Sequence, residues 1–266
     1  MLPLLNAAAV LYLRLSFLTQ NDWALKRRNA IMNSPVQNEK EESPDFYRKE
    51  ARLFYYLIPL YLAVPLFIWF FFQKLGAEFI WIAFGLGALG WIVALMLRGP
   101  ISLFVKNLPQ KSVMLIVGFS SGPLEEGIRA ALLLLTGTSF SWALSIGQGW
   151  AAIEVLYTII NGLVLIKIFQ KNDEKSLEVK RILASQGTSR LSPFWGLSER
   201  LFASLFHIGA TLIIAYSPPL TIPILFVHSA LNLGAVWISR RSMFFAQLYV
   251  AIIGVIVLVV GLVLFH

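Results

Sequence analysis

The chain is 266 residues long, 58% of them hydrophobic and 14% charged, with a formal net charge of +8. A soluble domain carries nearer ~25% charged residues, so this composition belongs to an integral membrane protein. The absence of cysteine excludes disulfides and thiolate metal sites.

About 20 apolar residues cross a bilayer core. That rule predicts spans at 1–18, 53–73, 77–97, 113–136, 140–166, 194–216, 219–238 and 243–265. The expected fold class is therefore all-α, a polytopic transmembrane helix bundle of about eight spans. Residues 1–18 are the weakest of these. They lack a basic n-region and a small-residue cleavage site, and Arg14 interrupts them, so they read as a short retained membrane segment and not a cleaved signal. Residues 1–52 thus combine a weak first span with a basic loop, and 53–266 form the membrane bundle. Within the loop, Ser43 as N-cap and Pro44 at the first helical position predict a helix that runs straight into the second span. In the connector 167–193, SLEVKRIL predicts a short amphipathic helix, read as a solvated connector with a lid or partner-docking surface as the alternative.

The basic surplus reports topology. Lys and Arg number seven in 19–52, three in 98–111, seven in 167–200 and two in 239–242, which is 19 of the 22 in the chain. These four segments share one side of the membrane if the spans are right. Only Lys74 lies opposite, and Arg14 and Arg129 are inside spans. The positive-inside rule puts the four loops in the cytoplasm and both termini outside. Nucleic acid is excluded as a partner on the same ground; the partners expected are membrane lipids and a peptide or membrane-protein substrate.

Against this background the stretch GPLEEGIRAALLLLTG stands out. Charge at such depth costs at least a few kcal/mol per group unless paired or solvated. These spans hold Glu125, Glu126 and Arg129 in the fourth, Glu154 in the fifth, His207 in the sixth and His228 in the seventh. Glu125 and Glu154 lie roughly 12 residues from the cytoplasmic end of their spans, His207 roughly 13 and His228 roughly 11, a common depth of about 16–20 Å. Glu125 and Arg129 are four apart and Glu126 and Arg129 three apart, so Arg129 can reach either carboxylate. His228 and Asn232, in HSALN, also share a helix face. Small residues in IGQGWAAIE, leading to Glu154, let helices approach closely. Singly, each polar group has a plain structural use as interhelical glue. Jointly, at one depth on four spans, they suggest a site.

The chemistry these groups support is hydrolysis. A buried glutamate can take a proton from water and return it to a leaving amine. Two imidazoles and an amide can stabilise the developing oxyanion, or the imidazoles can hold a zinc ion that polarises the carbonyl.

Glu125-Glu126 followed by Arg129, a histidine on a later span, and then His228-x-x-x-Asn232 resemble the three signature motifs of the CAAX-protease and bacteriocin-processing superfamily of intramembrane proteases. Within it, IGQGWAAIE, SERLFASLFHIG and VHSALNLG look most like the YhfC-type branch, which is related to the multispanning scaffold subunit of γ-secretase. The EEGIR spacing is nearer to that branch, Ala203 stands where the second motif usually has Phe, and Asn232 is nearer to the wider superfamily. The resemblance covers roughly 113–238 and implies a CAAX-protease-like core there. It implies that Glu125 activates water with Glu126 and Arg129 assisting, and that His207, His228 and Asn232 form the oxyanion site. Alternatively, Glu125, His207 and His228 would ligate zinc. Glu154, Glu199 and Arg200 would shape or gate the site.

Three function classes follow: an intramembrane endopeptidase, a non-catalytic scaffold or substrate-recognition protein like the γ-secretase subunit, and a proton-coupled transporter with a midplane site. The lack of an evident internal repeat weighs against the third.

Overall fold

The computed structural model describes residues 44–105, 107–171, 173, 176 and 192–265. The predicted span 1–18, the loop up to and including Ser43, and the SLEVKRIL segment apart from Ser176 lie outside the described residues. Among the described residues there are seven α-helices and no strand. In chain order they are α1 (Pro44–Lys74), α2 (Trp81–Val105), α3 (Gln110–Thr136), α4 (Phe140–Gln170), α5 (Pro193–Tyr216), α6 (Thr221–Ser239) and α7 (Met243–Val263), with a 3-10 turn at Pro218–Leu220 leading into α6.

Six of these helices are long and apolar enough to cross a membrane, so the chain is that of an integral membrane protein. The exception is α3, which is long enough but carries Lys111, Glu125, Glu126 and Arg129. It lies between α2 and α6. Leu134 and Leu135 stay exposed on its outer face while the three deep charges are buried.

Helix starts follow local chemistry. Pro44 and Pro193 open α1 and α5, where a missing N–H costs nothing and φ is already helical. Proline does not stop α2, however. The sequence predicts an end near residue 97, before Gly99-Pro100, yet the helix runs on to Val105 with Pro100 inside it. Arg98, counted above among loop cations, is therefore a buried helical residue. Arg200, counted with the 167–200 loop, is likewise buried inside α5. Removing both leaves 17 of the 22 Lys and Arg residues in the four basic segments.

Neighbouring helices form a circuit: α4 packs on α2, α2 on α3, α3 on α6, α6 on α7, α7 on α5, and α5 back on α4, with α1 outside against α4 and α5. The α2–α4 crossing is made by glycine. A Cβ at Gly149 would stand 1.9 Å from the Phe84 carbonyl oxygen, and one at Gly87 would stand 2.1 Å from that of Ile146. Neither backbone can give way without separating the helices. Gly149→Ala is expected to destabilise the bundle by at least about 2 kcal/mol through overpacking, read as thermal unfolding in detergent. Gly85→Ala, where a Cβ meets nothing, is the neutral control.

Candidate functional site

The site begins at a proline. Pro123 has no N–H to give the carbonyl of Phe119 one turn back, and in lipid an unpaired carbonyl is costly. The Ser229 hydroxyl of α6 donates to that oxygen at 2.9 Å. Close approach is needed for this, and Gly122 provides it: a Cβ there would lie 2.2 Å from Ser229 Oγ and 2.3 Å from the Leu225 carbonyl oxygen. One turn along, the Asn232 amide donates to Ser121 Oγ, whose own hydroxyl donates to the Gly118 carbonyl at 2.8 Å. This seam seats α3 on α6 and brings the residues after Pro123 against His228. Ser229→Ala is expected to cost about 1 kcal/mol, the scale of an interhelical polar contact in a membrane; chemical or thermal unfolding of the purified variant checks it.

Nine ionisable side chains then form one connected cluster, each less than a tenth exposed: Arg98, Glu125, Glu126, Arg129, Glu154, Glu199, Arg200, His207 and His228. Four carboxylates meet three guanidiniums and two imidazoles, so most of the buried charge is paired, as a low dielectric requires. Arg129, wholly buried, is the hub. Its Nη1 donates to Glu126 Oε2, its Nη2 lies 3.0 Å from His207 Nδ1, and its guanidinium sits 4.4 Å over the Trp150 ring. Of the two carboxylates within its helical reach, it takes Glu126.

The partners fix the tautomer of His207. An arginine only donates, so Nδ1 of His207 accepts and the ring proton is on Nε2. That Nε2–H faces Glu154 Oε2 at 2.6 Å. Glu154 also receives Arg200 Nη1 at 2.7 Å, and Arg200 Nη2 donates to Glu199 at 2.8 Å. Thus Glu154, Glu199 and Arg200 form the flank of the cluster nearest the start of α5.

His228 is placed differently. Its Nδ1 is 2.6 Å from Glu126 Oε1, so Nδ1–H donates to the carboxylate. Its Nε2 is 4.0 Å from Glu125 Oε1, beyond hydrogen-bond range. Phe206 stands edge-on to both imidazoles, with ring centroids at 5.0 Å from His228 and 5.6 Å from His207; the two imidazoles are 5.5 Å apart. Glu125 itself is held by two residues that sequence reasoning missed. Arg98 of α2 donates to its Oε1, and the Trp150 indole N–H of α4 donates to its Oε2 at 3.1 Å.

The structure therefore bonds Glu126, Arg129, His207 and His228 to one another, sets Glu125 across 4.0 Å from His228, and connects Glu154, Glu199 and Arg200 through His207. Asn232 is buried one turn from His228, but its amide is engaged by Ser121. As arranged, the donors do not fit a zinc centre. Arg129 occupies the Nδ1 lone pair of His207, and Glu154 faces its Nε2–H. That leaves Glu125 and His228 alone of the expected ligands. Among the described residues, no group of three His, Asp or Glu side chains is disposed to hold a metal.

No protein-family model, no curated protein and no solved structure matches this chain.

Proposed function

We propose that this protein is an intramembrane endopeptidase of the CAAX-protease-like kind, hydrolysing a peptide bond of a membrane-associated substrate with water activated at Glu125 and His228. The observation that carries the reading is the gap between them. His228 Nε2 faces Glu125 across 4.0 Å, and its other nitrogen is anchored on Glu126, itself held by Arg129. A nitrogen base oriented by a carboxylate, with its second nitrogen aimed at another polar group, is the arrangement of nucleophile activation. A bridging water fits a polar separation of this size.

In this mechanism the water's proton passes to the Nε2 lone pair as its oxygen bonds to the scissile carbonyl carbon. Glu125 holds the second water hydrogen. Glu126 supports the imidazolium through Nδ1. Collapse of the tetrahedral intermediate breaks the C–N bond, and the imidazolium returns its proton to the leaving amine. Asn232, one turn away, becomes an oxyanion donor only by leaving Ser121. No step runs through a metal.

The proposed orientation places the loops 106–109, 171–192 and 240–242 in the cytoplasm, since Lys and Arg concentrate there. Reporter fusions in 106–109 and 171–192 are expected to read the same side; opposite sides would undo the topology.

A second reading is favoured by a specific observation. Each of the four carboxylates already has a guanidinium partner, Arg200 serving two of them, and a cluster so largely paired can serve as the core of a scaffold. The deciding experiment compares the membrane proteomes of cells making the wild-type protein or Glu125→Gln. The expected result is one or more membrane proteins that shorten only with the wild type and that purified wild type cleaves in liposomes. Identical proteomes would leave the scaffold reading in its place.

A further inference from the structure

The geometry points to Arg98 and Trp150 as positioning residues that clamp Glu125 and give it a role separate from that of its neighbour Glu126. This rests on the endopeptidase reading for its catalytic meaning.

Adjacent residues on a helix point about 100° apart, which alone does not divide their partners. Arg129, four residues from Glu125 and three from Glu126, is within reach of both. Trp150 divides them. Its indole is fully buried, with one edge donating to Glu125 Oε2 and its face against the Arg129 guanidinium. Arg129 lies on the ring while Glu125 lies at its N–H edge. The guanidinium hydrogen-bonds Glu126 and His207 instead. Glu125 then needs another cation, and Arg98 supplies it from α2.

The two oxygens of Glu125 are thus bound by groups from two helices, α2 and α4, neither of which carries Glu126 or His228. Indole and guanidinium are both rigid planar donors, so they fix the carboxylate's rotation as well as its position. The room for the indole is itself built in. A Cβ at Gly90 of α2 would stand 2.9 Å from the Trp150 ring. A carboxylate gripped from α2 and α4, opposite an imidazole held from α3 through Glu126, sets the gap in which the water is to sit.

The test uses full-length protein in detergent with 15N-labelled indoles. The chain has eight tryptophans, and the Trp150 cross-peak is the one lost in Trp150→Phe. In Arg98→Gln this cross-peak is expected to move, and its exchange with solvent to quicken about tenfold, while the other seven hold still. Arg98→Lys restores it toward the wild-type position. In the cleavage assay, Arg98→Gln and Trp150→Phe are expected to lower kcat by about 10–100-fold through misplacement, with KM unchanged and partial recovery in Arg98→Lys.

A Trp150 signal indifferent to Arg98→Gln overturns the clamp. Should that variant fail to fold, Glu125→Gln takes its place: it must move the same signal, and an unmoved one overturns the proposal equally. The spectrum needs no substrate. A responsive Trp150 in a protein without protease activity sinks the enzyme reading alone, and an unresponsive one in an active protease sinks the clamp alone.

Discussion

Replacing Arg129 with methionine is expected to lower the stability of the detergent-solubilised protein by about 3–5 kcal/mol, the cost of breaking a buried ion pair from one side. The side chain is wholly buried and serves three partners at once: Glu126, His207 and the face of Trp150. Methionine fills much of the volume and removes every one of these contacts except dispersion. Glu126 is left with only His228, and Nδ1 of His207 loses its donor inside the bundle. Arg129→Lys keeps the charge but not the planar fork, so it is expected to fall between the two. Thermal unfolding with both variants checks the order. Equal stability of wild type and Arg129→Met would mean that the cluster is not held by its hub.

The two histidines are expected to separate cleanly. His228→Ala removes the imidazole facing Glu125 and is expected to lower peptide cleavage by at least about 100-fold, the scale of a positioned acid–base group. Its structural loss is smaller, since Glu126 keeps Arg129. His207→Ala leaves both Glu154 and Arg129 short of a partner, and is expected to cost about 1–3 kcal/mol of stability for the groups left unsatisfied. The paired measurement is the unfolding temperature and the turnover of each variant. Full turnover in a stable His228→Ala protein would remove the base from the mechanism. A His207→Ala protein as stable as the wild type would refute its bridging role.

What was legible beforehand follows from the kind of signal each feature leaves. Long apolar runs bounded by charge mark α1 and α4–α7 closely, because the bilayer thickness fixes their length. The end of α2 was misplaced because a run of about 20 apolar residues is complete by 97, whereas the helix continues through Pro100 to Val105. That misreading concealed Arg98, since a cation at the edge of a span is naturally assigned to water. A trace of it was present. Glu125, Glu126 and Glu154 against Arg129 alone leave an excess of deep carboxylates, and that imbalance asks for further cations near the span ends, where Arg98 and Arg200 stand. Trp150 left fainter evidence. In GQGWAAIE it reads as packing, and nothing in its spacing tells which way the indole N–H points. The choice Arg129 makes between two carboxylates was equally closed to spacing arguments, because it depends on a residue from another helix.

The seam around Pro123 bears on how the chain is assembled. Taken alone, α3 offers lipid an unpaired Phe119 carbonyl together with two glutamates and an arginine, and each central charge opposes insertion by roughly 2.5–3.5 kcal/mol on the translocon scale. The Glu126–Arg129 pair offsets part of this within the helix itself. Arg98 precedes α3 in the chain and is already made when Glu125 emerges. Ser229 and His228, which complete the carbonyl and Glu126, belong to α6 and are synthesised about 100 residues later, which at ~5–20 residues per second is a wait of about 5–20 s. During that interval a helix with three deeply buried charges is incomplete. It depends on shelter beside α2, or at the insertion machinery, until its last partners arrive.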